Sequence, residues 1–370
     1  MIRIKSVVVG LSLVVLLGMF SCAKDPSSIL DGAEQATFQA WIKKNDPQAE
    51  KKESGIYIKF YEHGNLGIIV PKVDQSWLQL NYSLSMFDGS IAVTRDSSTS
   101  RLLGSWSPTT HFVDDFVAYY SKTTAFTYGR ICEGLRDAFQ YLRIGDSARI
   151  YIPSSLAYID ASPLSDNSGY VGQNVDYLNK PIYINVRVKD IINHPVEWEK
   201  NKVQDYARTR WGQLSKDSIA YGIYMRVIED DPKALPITAD STVRYFFAER
   251  FLDHQLVLTN VESVAKAAKY YATTAASRWN YSVTEFMPTD FLEAKKDSTK
   301  QHLFGKIFLK MKAGQTVEVV SLSNWTSTGS SGDFTAVPQI LPYEPRVYQI
   351  RTIKWSDSKK EADLNLTKLL

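Results

Sequence analysis

A chain of 370 residues is long enough for roughly two domains of about 100 to 200 residues each. Its 44% hydrophobic and 12% aromatic residues can fill ordinary cores, and its net charge of +3 is close to neutral for this length. Because no cluster of Lys and Arg is interleaved with aromatic residues, we expect no nucleic acid among its partners.

The N-terminus has the pattern of an export signal. Arg3 and Lys5 precede an apolar run over residues 7–20, which is short for a transmembrane helix and typical of a signal peptide. Ser21 and Cys22 follow at once, and a small residue before a lone cysteine resembles a bacterial lipobox. We therefore expect acyl chains on Cys22 that hold a Gram-negative lipoprotein at a membrane of the cell envelope, expected to be the outer membrane, on its periplasmic or surface face. The alternative is a simple secretory signal.

The next segments predict one helix and two strands. Residues 31–44 form an amphipathic pattern with lysines at the C-terminal end, and their apolar face could pack on either domain. Residues 54–62 and 77–86 alternate between apolar and polar side chains, as half-buried strands do. The second strand ends at Asp88 and Gly89, which predict a hairpin turn.

Residues 99–124 are predicted to be an elaboration of the first domain. Their aromatic residues include Phe112, Phe116 and Tyr120, whose spacing predicts one face of a helix. This face would pack into the core, or alternatively form a binding surface.

A short helix, a strand and a turn are predicted between residues 126 and 158. Apolar residues fall at helical spacing over residues 134–142, and Gly145 follows as glycines do just past a helix end. Residues 148–152 alternate as a strand, and Pro153 ends it because proline cannot continue a ladder. A further alternating strand closes the domain.

The pattern of the first half recurs in the second half. Residues 196–216 predict a helical connector, after which four landmarks return in the same order, and this order indicates a tandem duplication. The second copy also carries an insertion at residues 261–300, predicted to be helical at 265–276. The matching segments are 54–62 with 221–229, 77–89 with 242–254, 142–152 with 311–320, and 181–191 with 346–355.

The stretch from Phe126 to Tyr158 resembles the signature of the FKBP-type peptidyl-prolyl isomerases. That signature runs through a short helix and a glycine to Ile-Pro-x-x-Leu-Ala-Tyr-Gly, and Ile159 stands here in place of the last glycine. The resemblance implies an α+β fold of two tandem FKBP-like domains, each an antiparallel β-sheet curled around a short α-helix, with helical insertions. In the second copy, Ser321 to Ser327 has lost the signature.

The resemblance completes the predicted organisation of the chain. The parts are a lipoprotein signal peptide at 1–21, a tether and amphipathic helix at 22–50, a first FKBP-like domain at 51–195, a helical connector at 196–216, a degenerate second FKBP-like domain at 217–357 and a polar tail at 358–370.

The resemblance also implies a pocket in the first domain for proline-containing segments of exported proteins. Tyr158 is expected to donate a hydrogen bond to the substrate carbonyl, and Tyr82 is expected to line the pocket. No cofactor is implied. The other residues implied in substrate binding are Phe126, Ile131, Cys132, Leu135 and Ile184.

Three departures from the family pattern thin this pocket. Leu135 replaces the tryptophan of its floor, and Ile184 replaces an aromatic residue of the last strand. Ala92 and Val93 replace a Phe-Asp pair, unless an insertion lets Asp96 supply the acid.

Non-catalytic alternatives therefore stay open. The two tyrosines could be core residues, and the two domains could form a binding or chaperone module or a structural scaffold. Cys132 also fits a small buried residue. The five histidines lack metal-ligand spacing, so each is interpreted as a surface or turn residue and no metal site is expected.

Overall fold

The structure is a computed structural model that describes residues 26–64, 77–118, 132–158, 176–212, 218–269, 284–286, 303–326, 338 and 340–354. The predicted signal peptide, the lipidation residue Cys22, the pocket residues Phe126 and Ile131, and the predicted helix beyond residue 269 lie outside these residues. The described helices are α1 (Pro26–Asn45), α2 (Ser97–Leu102), α3 (Glu133–Ala138), α4 (Pro195–Trp211), α5 (Glu262–Ala267) and α6 (Leu303–Phe308).

The strands fall into two sets. The first set is β1 (Glu50–Lys51), β2 (Tyr57–Glu62), β3 (Trp77–Met86), β4 (Ile91–Thr94), β5 (Asp115–Ala118), β6 (Ser147–Ile152) and β7 (Ile182–Ile192). The second set is β8 (Ser218–Ala220), β9 (Ile223–Glu229), β10 (Val243–Arg250), β11 (Leu256–Thr259), β12 (Thr284–Phe286), β13 (Thr316–Ser321) and β14 (Arg346–Ile353).

Each set forms one antiparallel sheet, and the two sheets have the same topology. The first sheet has the order β1-β2-β6-β7-β3-β4, with β5 paired to β3, and the second has the order β8-β9-β13-β14-β10-β11, with β12 paired to β10. Short helices α2 and α5 follow the equivalent strands β4 and β11. The predicted α+β class and the tandem duplication are therefore confirmed. We call the sheets with their helices unit 1 and unit 2.

The inner face of each sheet packs against a short helix. In unit 1, α3 approaches β6 so closely that a Cβ on Gly134 would lie 2.4 Å from Cγ2 of Ile152. The apolar side chains of alternate residues on β3, from Leu78 to Leu84, are buried beneath this helix. In unit 2, α6 takes the same place, with Ile307 and Phe308 in the core.

The outer face of each sheet is met by the helix that precedes its unit. Phe38 and Ile42 of α1 pack against Tyr151 of β6, whose hydroxyl donates to the buried Asp46 carboxylate at 2.6 Å. This resolves the choice left open by the sequence, because α1 packs on unit 1. The connector helix α4 packs on β13 and β14 of unit 2 through Val203 and Ala207.

The predicted helix around Phe112 to Tyr120 is wrong within the described residues. Asp115–Ala118 is instead strand β5, antiparallel to the first four residues of β3, Trp77 to Leu80. The start of β3 extends beyond β4 in the sheet, so β5 satisfies backbone groups of β3 that β4 does not reach. Unit 2 repeats this solution with β12 on β10. None of the described helices is long and apolar enough to cross a membrane.

Candidate functional site

The described residues of the predicted pocket meet on the inner face of unit 1. Tyr82 pairs with Val186 across β3 and β7, two positions from Ile184, and Leu135 projects from α3 toward the same apolar cluster. Tyr82 is 2% exposed and Tyr158 is 4% exposed. The sheet and α3 thus bring five predicted residues together as a packed cluster.

Tyr158 is held in place from both its backbone and its ring. It follows the 3-10 turn Ser154–Leu156, and its carbonyl accepts a hydrogen bond from the Asn179 amide at 2.8 Å. Its ring meets that of Tyr177 edge to face, with centroids 5.7 Å apart. These contacts fix the position of the side chain expected to donate to a substrate carbonyl.

Cys132 is the N-cap residue of α3 and is buried, as the sequence suggested. Burial raises the pKa of its thiol to about 12. The thiol is therefore protonated at neutral pH, and since the thiolate is the nucleophilic form, Cys132 can serve this cluster only as an apolar side chain.

No described residue supplies the carboxylate missing from the pocket pattern. Ala92 and Val93 lie on β4 and are buried, and the insertion alternative fails because Asp96 caps α2. Hydrogen bonds from the hydroxyls and amides of Ser98 and Thr99 hold the pKa of Asp96 at about 2. This carboxylate is engaged in the cap of α2 and lies beside the outward side chains of β3, away from the predicted pocket.

Unit 2 carries aromatic side chains at positions equivalent to the predicted pocket. Strand register equates Tyr82 with Phe247. On β7, the partner of Tyr82 comes one residue before the partner of the first residue of β6. On β14, the partner of Phe247 likewise comes one residue before the partner of the first residue of β13. By the same register, Ile184 corresponds to Tyr348, and the spacing to the helix-end glycine equates Leu135 with Phe304.

These rings form a connected cluster. Phe304 lies 5.7 Å from both Phe247 and Tyr348 between ring centroids, and 5.4 Å from Tyr245. The Tyr348 hydroxyl donates to Glu249 at 3.2 Å, and burial raises the pKa of Tyr348. The sequence interpretation missed this cluster, because it compared signatures instead of strand register.

A buried histidine joins the two units. His111 is 3% exposed, its Nε2 lies 3.0 Å from Asp253 Oδ2, and its Nδ1 lies 3.1 Å from Glu344 Oε1. Its ring stacks on Phe251 with centroids 3.8 Å apart. Burial raises the pKa of Asp253, but the hydrogen bond and electrostatic attraction of His111, together with the Gln255 amide, outweigh burial and leave this pKa lowered. The interpretation of every histidine as a surface or turn residue is therefore wrong for His111.

Next to His111 the units enclose a cleft of about 400 Å³. Trp198 and Tyr343 form aromatic walls, and Lys202 places its ammonium 3.6 Å from the centroid of the Trp198 indole. Burial lowers the pKa of Lys202, although four carboxylates nearby oppose this shift. This cleft is separate from the predicted pocket.

Comparisons with known proteins gave matches in structure alone. No family model matches the chain, and no curated protein matches its sequence. The three FKBP domains of wheat FKBP73 align at 13% identity and a TM-score of 0.27, over 83% of this chain and 98% of that chain. A peptidyl-prolyl cis-trans isomerase of Pseudomonas syringae pv. tomato aligns at 16% identity and 0.28, over 46% and 98%.

A third similar structure is FkpA from Escherichia coli, at 15% identity and a TM-score of 0.29, over 51% of this chain and 72% of that chain. The first two of these proteins carry the names that the sequence resemblance suggested. The candidate site rests on the strand register and side-chain contacts of this chain.

Proposed function

We propose that unit 1 binds proline-containing segments of exported proteins and acts on them as an FKBP-type peptidyl-prolyl cis-trans isomerase. The observation that supports this is the meeting of Tyr82 and Tyr158 with Leu135 and Ile184 on one apolar cluster. We further propose that Cys22 anchors the chain to a membrane of the cell envelope, where such segments emerge during folding.

The chemistry asks little of the protein. Rotation about an X-Pro bond is slowed by amide resonance, with a barrier of roughly 18 to 20 kcal/mol. An apolar surface disfavours the charge-separated resonance form and so favours the twisted amide, while a hydroxyl such as that of Tyr158 can orient the substrate carbonyl. No nucleophile is needed, in keeping with the protonated thiol of Cys132.

A second candidate is a non-catalytic binding or chaperone module. The aliphatic side chains of Leu135 and Ile184 and the buried pair Ala92 and Val93 favour it, since none of these four side chains carries a charge or a hydrogen-bonding group. Such a face can hold an apolar segment without orienting its carbonyl.

Exchange NMR of cis and trans X-Pro peptides separates these candidates. The full chain in a phosphocholine detergent should accelerate exchange, and Tyr158→Phe should lower the acceleration about tenfold because one hydrogen bond of about 1.4 kcal/mol is lost. Tyr183→Phe is the matched control, because Tyr183 lies on the outer face of the same sheet. No acceleration by the wild-type chain would reject the isomerase, and suppression of client aggregation that survives Tyr158→Phe would favour the second candidate.

The anchor has its own test. Metabolic labelling with a palmitate analogue should label the wild-type protein, and Cys22→Ser should abolish the label and move the protein out of the membrane fraction. Labelling that persists in Cys22→Ser would reject lipidation at this residue.

A further inference from the structure

Unit 1 has a polar hollow on its outer sheet face, beside the short helix α2. The hollow measures about 400 Å³ and lies between the outward side chains of β3 and β7 and the start of α2. Asn81 and Ser83 come from β3, Asn185 from β7, and Asp96 and Thr99 from the helix start. The predicted isomerase cluster lies on the opposite face of this sheet.

The same place in unit 2 is filled with apolar side chains. Strand register equates Asn81 with Phe246, because they pair with the equivalent residues Arg187 and Arg351. It equates Ser83 with Ala248, because they pair with the equivalent residues Asn185 and Gln349. Phe246 and Ala248 are each 1% exposed.

The helix start shows the same replacement. Asp96 and Val261 are the N-cap residues of α2 and α5, and Thr99 and Val264 are the third residues of those helices. Val261 and Val264 join Phe246 and Ala248 in one hydrophobic cluster. The fold therefore accepts a packed apolar core at this place, and unit 1 instead keeps a cavity lined by polar groups, which is the pattern expected where a sequence departs from local packing for function.

The charges of the hollow are balanced and already satisfied. The Asp96 carboxylate accepts four hydrogen bonds, from the amides and hydroxyls of Ser98 and Thr99, and so is engaged within its own cap. Arg187 is paired with Glu62 at 3.2 Å. An anion or a cation would thus meet one charge of each sign, both already partnered.

The remaining groups are neutral donors and acceptors. The Asn185 amide accepts from Arg149 and donates to Ser83 Oγ at 3.4 Å, which leaves the Ser83 hydroxyl proton to point elsewhere. Within the described part of the chain, the hydroxyls of Ser85 and Ser147 also line the hollow without bonding to another side chain. Hydroxyl and amide groups of this kind match a ligand that both donates and accepts through many neutral groups.

We propose that this hollow binds a neutral saccharide. Sugar hydroxyls donate and accept as the Asn and Ser side chains do, they need no counter-charge, and a volume of about 400 Å³ lies within the roughly 300 to 1,000 Å³ typical of small-molecule sites. Tyr183 also lines the hollow, with the Arg149 guanidinium 4.7 Å from the centroid of its ring. The site does not depend on the isomerase cluster.

Calorimetric titration of the full chain with neutral disaccharides tests the proposal. The probes are diacetylchitobiose, cellobiose and maltose, in a phosphocholine detergent because maltoside detergents carry a sugar. We expect at least one to bind saturably with Kd on the order of 1 mM or tighter, and inorganic phosphate and spermidine not to bind. Failure of all three disaccharides, or binding of the ions in competition with them, would overturn the proposal.

Variants locate the site. The triple variant Asn81→Phe, Ser83→Ala, Thr99→Val copies the core of unit 2 and should weaken binding at least tenfold. Ser83→Ala alone, which removes a single hydroxyl, should weaken binding about threefold and serves where the triple variant does not fold. Ala248→Ser makes the opposite change in unit 2 and should leave sugar binding unchanged. Unchanged binding in both unit 1 variants would place the sugar elsewhere and reject the hollow.

Discussion

The two units share one topology and differ in what fills it. On the inner face, unit 1 has Leu135 and Ile184 where unit 2 has Phe304 and Tyr348. On the outer face the units differ in polarity, because unit 1 has a polar hollow where unit 2 has an apolar cluster. The same strand order and register are thus compatible with different side chains at equivalent positions, so the two faces of each sheet can differ between the units.

One shared device shows how the topology is kept. The Asp146 carboxylate accepts a hydrogen bond from the Arg143 amide at 2.7 Å, and in unit 2 the side-chain carbonyl of Gln315 accepts from the Lys312 amide at 2.8 Å. Both side chains are buried at the start of the equivalent strands β6 and β13. A charged and a neutral acceptor therefore perform the same local task.

The largest expected effect separates these two acceptors. Asp146→Ala should destabilise unit 1 by about 4 kcal/mol, because Asp146 also accepts from the Gly64 amide at 2.7 Å and two backbone donors lose a buried, charged partner. Gln315→Ala should cost unit 2 about 2 kcal/mol, because the Lys312 amide loses a neutral acceptor while Asp230, to which Nε2 of Gln315 donates at 2.5 Å, is exposed and can turn to water. Hydrogen exchange read by mass spectrometry can follow β6 and β13 separately, and equal losses in the two units would contradict the comparison.

The next effect is a pH dependence expected of unit 2. Glu199 of α4 is 1% exposed and accepts the Ser323 amide, and burial raises its pKa to about 7 from the ordinary 4.5. The folded state therefore holds a proton that the unfolded state releases between these values. Stability should fall as pH rises through this window, by up to about 3 kcal/mol.

Glu199→Gln tests this dependence, because the amide keeps an acceptor for Ser323 and does not titrate. Thermal unfolding of the variant and the wild-type chain from pH 4.5 to 7.5 should give curves that diverge with rising pH, with the variant the more stable at pH 7.5. Curves that stay parallel would show that Glu199 does not titrate in this range.

Exchanging the inner-face residues should give a smaller effect. Phe304→Leu should destabilise unit 2 by about 1.5 kcal/mol through the loss of ring contacts, and Leu135→Phe should destabilise unit 1 by about 2 kcal/mol through overpacking. Urea unfolding measures both. A stabilising Leu135→Phe would mean that the aliphatic inner face of unit 1 has space for a ring.

The smallest effect concerns the turns after β3 and β10. Gly89 has a φ of 90° and His254 has a φ of 71° in the equivalent turn. Gly89→Ala should cost about 1 kcal/mol, since a side chain is strained there. His254→Gly should change stability by less than about 1 kcal/mol, because relief of strain is offset by the entropy of glycine in the unfolded chain. Thermal unfolding measures both, and a larger loss for His254→Gly would show that the contact of its ring with the ring of Tyr206, 5.9 Å between centroids, outweighs the relief of strain.

Much of the fold could be predicted from periodicity. The strand over Trp77–Met86 alternates strictly, so its bounds and its buried face were predicted, and the short helix ending before Gly145 was predicted from apolar spacing and a terminal glycine. Strand β5 was not predicted, because Phe112, Phe116 and Tyr120 of the surrounding segment recur at a spacing that also fits a helix, and only the pairing with β3 decides.

The sites were harder to predict than the fold. His111 contacts Asp253 across 142 residues, and no local pattern announces such a contact. The hollow of unit 1 becomes visible only when register equates Asn81 with Phe246, which requires both sheets. The predicted pocket residues could be named from a signature, but their burial depends on packing that the signature does not encode.

The packing of α1 on unit 1 sets a limit on reach. Pro26, the first residue of α1, is only a few residues beyond Cys22, and a fully extended chain spans at most about 3.6 Å per residue. An acylated Cys22 would hold the start of α1 within about 15 Å of the bilayer surface. Unit 1 would then stay close to that surface, so it would meet only those clients that diffuse to the membrane.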